Sequence, residues 1–595
     1  MLKVNFSYET SVDDNGNTLF CYVLPDGNQS PTLHVRPGDT LVLTLTNNTP
    51  VPTSASKLRM QMNTSEDTVC GAESADDSST NVHFHGTNTS PVCHQDDVIH
   101  TLVNAGQSFT YNVVFPKNEP PGLYWYHPHV HGLSEAAVLG GASGAIVVDG
   151  IQNVQPAVAG LPQRVLLVRD HLVPGNPTPG GDVPSWDISL NYIPVPYPDY
   201  PPAIIPMKAG AKQLWRLVNA CADTILDIQL QYDGVAQPLK IVALDGVPTG
   251  SQDGTRHGKI VTKTDILLPP AARAEFIVTA PKKGVQSAIL STQNIDTGPD
   301  GDDDPTRPIA AIETPFTTAS SARPQAFAEA SADVDKITEA LPAIPAQLAA
   351  PNPQRFEGLA AARPSATRVL YFSEVLSDPN NPNSPTNFYI TVDGDTPTLF
   401  DPSNPPAITT TQGSVEDWTI ENRALENHEF HIHQIHFLLL DRNGVPVAPQ
   451  DEQMLDMVQV PYWSGSGPYP SVTVRMDFRG PDIGDFVYHC HILGHEDAGM
   501  MAIIRVVPQT NALLAGPEEL FAWLFDSPSR KFAAMCIRGR TSYQRRAALV
   551  EDGGWPLQRT AGLMILVFAT IYAGPRLYSL RRLFAAMRRS LRNLR

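Results

Sequence analysis

Residues 489–500 read His-Cys-His-Ile-Leu-Gly-His-Glu-Asp-Ala-Gly-Met, placing one thiol, three imidazoles and one thioether within twelve positions. The run before them, Asp485-Phe486-Val487-Tyr488, is β-forming. Side chains on a strand alternate faces. Cys490 therefore points one way, and His489 and His491 the other. A soft thiolate, two imidazoles and a long thioether bond make up a blue-copper electron-transfer centre. Cys490, His495 and Met500 fill three of those places, and one imidazole must come from elsewhere. A lone cysteine is more often a small buried hydrophobe. The spaced ligands around Cys490 argue against that reading here.

Three other segments carry paired histidines: Asn81-Val82-His83-Phe84-His85-Gly86, Tyr124-Trp125-Tyr126-His127-Pro128-His129-Val130-His131-Gly132, and His428-Glu429-Phe430-His431-Ile432-His433-Gln434-Ile435-His436. Histidines at i and i+2 share one face of a strand. One such pair is a weak signal. His83 and His85, His127 and His129, His431 and His433, and His489 and His491 make four pairs. Eight imidazoles suit a cluster of three copper ions, each ring needing an acceptor for its outer nitrogen. His428 is the best candidate for the missing ligand beside Cys490. A one-electron centre joined to a three-copper cluster stores four electrons, enough to take dioxygen to two waters. A non-enzymatic electron carrier would need only His428, Cys490, His495 and Met500, leaving eight histidines without purpose. A copper-sequestering protein is the other non-enzymatic alternative.

Composition sets the frame. The chain has 595 residues, with 55 Pro and 41 Gly between runs rich in Val, Thr and Ile, which reads as all-β and turn-rich. Residues 1–150 and 367–508 read as β-domains holding the histidine segments. Residues 160–300 read as a β-domain without ligands, since His171 and His257 have no partner at ligand spacing. Residues 301–366 open on an acidic run and continue rich in Ala, Pro and Ser, a linker composition. Residues 528–595 carry 14 Lys and Arg against 2 Asp and Glu, while the rest of the chain carries 28 against 59. That acidic body excludes nucleic acid as a partner.

Within the basic extension, 509–595, the uncharged stretch 560–575 precedes seven arginines. It reads either as a C-terminal membrane anchor, slightly short for a span, or as a disordered extension. No secretory leader is legible, because Met1-Leu2-Lys3-Val4-Asn5-Phe6 runs straight into an alternating strand. Either a leader is missing from this sequence or the protein stays inside. Of six cysteines, Cys70 and Cys93 bracket the first histidine motif and could pair, though connectivity cannot be read from spacing.

The segments HFHG, HPHVHG, HEFHIHQIH and HCHILGHEDAGMM resemble, in order, those of the multicopper oxidases, specifically three-domain laccase-like members. The resemblance covers roughly residues 1–508. It implies three cupredoxin-like Greek-key domains and four copper ions. The type 1 copper would be held by His428, Cys490 and His495 with Met500 axial, and the type 2 copper by His83 and His431. The type 3 pair would take His85, His127, His129, His433, His489 and His491. It also implies an extracytoplasmic location, dioxygen as acceptor, and a phenol or aromatic amine as reductant. A metal ion, Cu(I) or Fe(II), is the alternative reductant.

An axial Met implies a lower reduction potential than Leu or Phe. Glu429 and Gln434 stand where many members have Pro and Gly, and Glu429 is expected to alter the rim of the electron-accepting site. Asp96, Asp97 and Glu496 are candidate proton donors. Met454 and Met457, with Asp451, Glu452 and Asp456, could bind a cuprous ion, although core methionines are the commoner outcome.

Overall fold

The computed structural model describes residues 1–51, 70–251, 258–315, 356–381 and 383–509. These are almost entirely β, as the composition predicts, with 45% strand against 4% helix. Among the described residues, no sheet draws strands from two distant parts of the chain. The first part has a four-stranded sheet centred on Leu2–Val12 and Thr40–Asn47, and a small sheet holding Leu123–Tyr126. The alternating pattern of Thr40–Asn47 puts Leu41, Leu43 and Leu45 inside. Two sheets between Gln163–Leu172 and Arg307–Glu313 form the middle part.

The last part holds the sheet that matters most for the site. Its order is Ile408–Thr411, Met501–Val507, Gly484–Cys490, His428–Ile432, Met457–Val460. His428–Ile432 therefore lies between the strand ending in Cys490 and the strand beginning at Met457. Phe430 sits opposite Cys490, and His431 opposite both His489 and Met457.

The cores cross between these parts. Leu123 and Trp125 pack with Trp215 and Phe276 of the middle part, and Met457 joins the same cluster. Burying side chains of this size contributes about 1.5–3 kcal/mol each. That sharing holds the histidine segments of the first and last parts against one another.

The expected linker at 301–366 begins too early. Arg307–Glu313 is a strand, antiparallel to Ala288–Thr292 and parallel to Ala203–Pro206. The acidic run misleads because Asp304 is buried, accepting the Ile225 N–H at 3.0 Å. Ile309, Ala310 and Ile312 behind it are core residues. Residues 316–355, the stretch 560–575 and the rest of the basic extension beyond 509 lie outside the described residues. Among the described residues, no helix is long and apolar enough to cross a membrane.

Cys70 and Cys93 form a disulfide, closing the stretch that carries His83 and His85. Cross-linking a loop of this length removes freedom from the unfolded chain. Cys93→Ala is expected to destabilise the protein by about 2–4 kcal/mol. A lowered melting temperature, reproduced in the wild type by reductant, checks it.

Candidate metal centre

His428 and Cys490 face the same core from adjacent strands, and His495 returns to them from the short helix Leu493–Asp497. The Cys490 Sγ lies 3.7 Å from His428 Nδ1 and 3.8 Å from His495 Nδ1. The two imidazole nitrogens are themselves 3.2 Å apart. Burial pushes His495 down to about 3 and His428 well below its usual value, so both rings are neutral with lone pairs to donate. The Glu429 N–H points at the sulfur, 3.3 Å away. Met500 is fully buried in the same core cluster, and its carbonyl accepts the Cys490 N–H at 3.1 Å.

On the opposite side of the same strand lie the eight paired histidines, all buried. The first two segments are stitched backbone to backbone, each of His83 and His127 donating its N–H to the other's carbonyl at 2.8 and 3.2 Å. The His83 and His433 rings stack at 3.9 Å, and those of His85 and His431 at 4.0 Å. His489 Nε2 lies 3.3 Å from His129 Nε2 and 3.1 Å from His433 Nε2. His85, His127 and His491 form a second group, their ring centroids 4.9 to 5.6 Å apart.

Outer nitrogens are held by the protein. His83 Nδ1 bonds Asp96 at 3.0 Å, His127 Nδ1 the Pro128 carbonyl at 2.8 Å, and His431 Nδ1 the Asp456 carbonyl at 2.8 Å. The Nε2 atoms of these three rings are buried with no hydrogen-bond partner. Bare buried nitrogens converging from several rings are costly unless something binds them. Imidazole and thiolate donors in these groups fit copper.

Asp96 reaches the cluster through His83, and it also accepts the Phe84 N–H at 3.0 Å and Gln434 Nε2 at 2.7 Å. Gln434 has φ 59°, the left-handed region that a glycine would enter freely, and its side chain uses that turn to hold Asp96. Asp97 does not join them. It is turned to His100, accepting that residue's N–H at 3.1 Å and facing its Nδ1 at 3.0 Å. Glu496 does join: its Oε2 is 3.0 Å from His489 Nδ1 and its Oε1 3.6 Å from His129 Nε2.

Glu429 is not at any rim. It is fully buried, bonded to Gln459 at 3.1 Å, because it points to the opposite face from His428. The methionine and acid group is core: Met454 and Met457 are buried in different clusters, Asp456 pairs with Arg273, and Asp451 with Lys263.

The sequence reading missed Glu426. Its Oε1 lies 3.3 Å from His495 Nε2, on the edge of the ring turned away from Cys490. Burial and a hydrogen bond to Glu374 push its carboxyl up to about 10, and Asp302 and Asp300 add to the negative field. Its place two residues before His428 was the available signal.

An almost wholly β protein that joins a Cys/His site to a buried histidine cluster through one His-Cys-His strand is a copper-dependent oxidoreductase. Multicopper oxidase family models match residues 59–153 and 379–510. The laccase of Bacillus subtilis (strain 168) is 23% identical over 425 residues, covering 65% of this chain and 71% of that protein. Multicopper oxidase LPR1 homolog 3 of Oryza sativa subsp. japonica is 22% identical over 501 residues, covering 72% and 85%. Among solved structures, McoA multicopper oxidase from Aquifex aeolicus superposes with a TM-score of 0.57 at 16% identity, covering 85% of this chain and 96% of that one. The multicopper oxidase of Campylobacter jejuni, described as a metallo-oxidase, gives 0.56 at 20% identity, covering 85% and 91%. The structural likeness is one of fold, the cupredoxin fold.

The chain belongs to the multicopper oxidases, and it is an enzyme. The family carries four coppers, one type 1, one type 2 and two type 3, and uses dioxygen with an organic or metallic reductant. Its members are commonly extracytoplasmic.

Proposed function

We propose that the protein oxidises a small metal cation, Cu(I) or Fe(II), at the His495 edge and reduces dioxygen to water at the histidine cluster. His428, Cys490 and His495 would hold the type 1 copper, with Met500 as the further ligand. The groups His129, His433, His489 and His85, His127, His491 would hold the type 3 pair, leaving His83 and His431 for the type 2 copper. Bound copper supplies one-electron uptake at Cys490 and four-electron delivery to oxygen. Cys490 carries electrons onward because His489 and His491 are its covalent neighbours. Asp96 and Glu496, each touching a cluster imidazole, would hold and deliver protons.

The observation that carries the choice of reductant is Glu426 beside His495 Nε2, backed by Glu374. A negative field raises the local concentration of cations and does nothing for a neutral phenol. A cation would displace the proton that Glu426 holds. The second reading, a phenol or aromatic amine, is favoured by the Phe388 ring stacked on His495 at 4.2 Å, an apolar face beside the same edge. It also agrees with the Bacillus laccase.

Oxygen uptake with Fe(II), Cu(I) and a methoxyphenol distinguishes them. Glu426→Gln is expected to raise KM for the metal ions about three- to tenfold, the size of one modest charge interaction. The phenol rate should stay within about twofold, controlling for changes at His495 itself. Loss of the phenol reaction with no change for the metal ions would reverse the assignment.

A further inference from the structure

The middle part of the chain supplies none of the proposed ligands, yet it reaches the cluster. Arg273, from the strand Arg273–Thr279, is fully buried and grips the Asp456 carboxylate with both terminal nitrogens, Nη1 at 2.7 Å from Oδ1. Asp245, also from the middle part, accepts the N–H groups of Asp456 and Met457, both at 3.2 Å, and the Arg273 N–H at 2.9 Å. Asp456 is thus fixed at backbone and side chain by two residues from one neighbouring sheet.

Asp456 in turn meets two cluster imidazoles. Its carbonyl accepts His431 Nδ1 at 2.8 Å. Its carboxylate faces His85 Nε2 at 3.6 Å. The same carboxylate lies 3.6 Å from His436 Nε2, whose proton goes to the Asp245 carbonyl at 2.9 Å. Gly86 closes the arrangement: it has φ +80°, and a Cβ there would overlap both Arg273 Nη2 and Asp456 Oδ2. The chain next to His85 is therefore shaped to this ion pair.

We propose that the Arg273–Asp456 pair is a positioning device by which the ligand-free middle part orients His85 and His431 for the copper cluster. Asp456 is not itself a ligand, because its charge is already matched by a bidentate guanidinium. With Nε2 turned toward that carboxylate, Nδ1 is the nitrogen His85 offers the metal. Partners of this kind fix ring orientation and raise ligand basicity, and losing them costs metal affinity on the order of 10–100-fold.

The inference rests on reading the cluster as the copper centre, and the test separates the two. Copper per chain and the paramagnetic resonance spectrum are measured for wild type, Asp456→Asn, and the double variant Arg273→Gln with Asp456→Asn. The double variant removes both members of the pair, and Asp245, which loses the guanidinium 3.8 Å away, keeps the N–H groups of residues 273, 456 and 457, so this variant remains informative if the single one fails to fold. Expected is a loss of about one to two of four coppers with the blue absorption at Cys490 retained. Any copper still in the paired site should give a new cupric signal as coupling is lost. A double variant that keeps four coppers and an unaltered spectrum, even with a lower melting temperature, overturns the positioning role and leaves the pair purely structural. A wild type that binds copper only at Cys490 overturns the copper reading itself.

Discussion

Cys490→Ser is expected to abolish oxygen uptake with every donor and to remove the blue colour, while leaving the fold intact. Serine matches cysteine in shape, and the site lies in a close-packed core of Phe430, Tyr488 and Met500. What changes is the donor atom. A hydroxyl does not replace a soft thiolate, and the sulfur also accepts the Glu429 N–H at 3.3 Å. The loss falls on the route as well as the ligand, because Cys490 joins His428 and His495 on one face to His489 and His491 on the other. Turnover should drop below roughly a hundredth of wild type, given that even outer partners of metal ligands are worth 10–100-fold. Substantial turnover in this variant would mean that electrons reach the cluster by another route.

The second large effect is expected from Glu496→Gln. Glu496 is fully buried in the helix that carries His495. One oxygen is 3.0 Å from His489 and the other 3.6 Å from His129, which comes from the first part of the chain. Reducing dioxygen to water consumes four protons, and a positioned acid contributes typically 10²–10⁴-fold to such transfers. Glutamine keeps the volume and cannot deliver a proton. Oxygen reduction should slow by about 10²-fold with the blue absorption and copper content unchanged. Unchanged turnover would remove Glu496 from the proton path.

How much of this was legible depended on how local each signal was. The all-β class and the paired histidines were legible because alternation is a property of neighbouring residues, and three of the four motifs lie on a strand or at its end, while His83 makes only an isolated bridge to His127. The Cys70–Cys93 bracket was visible as a possibility, and only the fold could select it. Asp96 and Asp97 looked equivalent in sequence. They part because the turn at 97–100 claims Asp97, while Asp96 faces His83. Glu429 was misjudged as a rim residue because its neighbour in sequence, His428, lies on the other face of the strand. Arg273 and Asp456, 183 residues apart, carry no motif, and nothing short of the fold brings them together. Glu374, on the strand Ala366–Leu376, and Glu426, in the bend before His428–Ile432, likewise lie far apart in sequence.

The central claim is that electrons taken one at a time at the Cys490 site leave four at a time at the histidine cluster. Donor oxidised per dioxygen consumed, measured together with hydrogen peroxide released, tests this most directly. Four equivalents of Fe(II), Cu(I) or phenol per dioxygen with no peroxide is the predicted result. Two equivalents per dioxygen, with peroxide accumulating, would contradict it, for the eight histidines would then not act as a single four-electron centre.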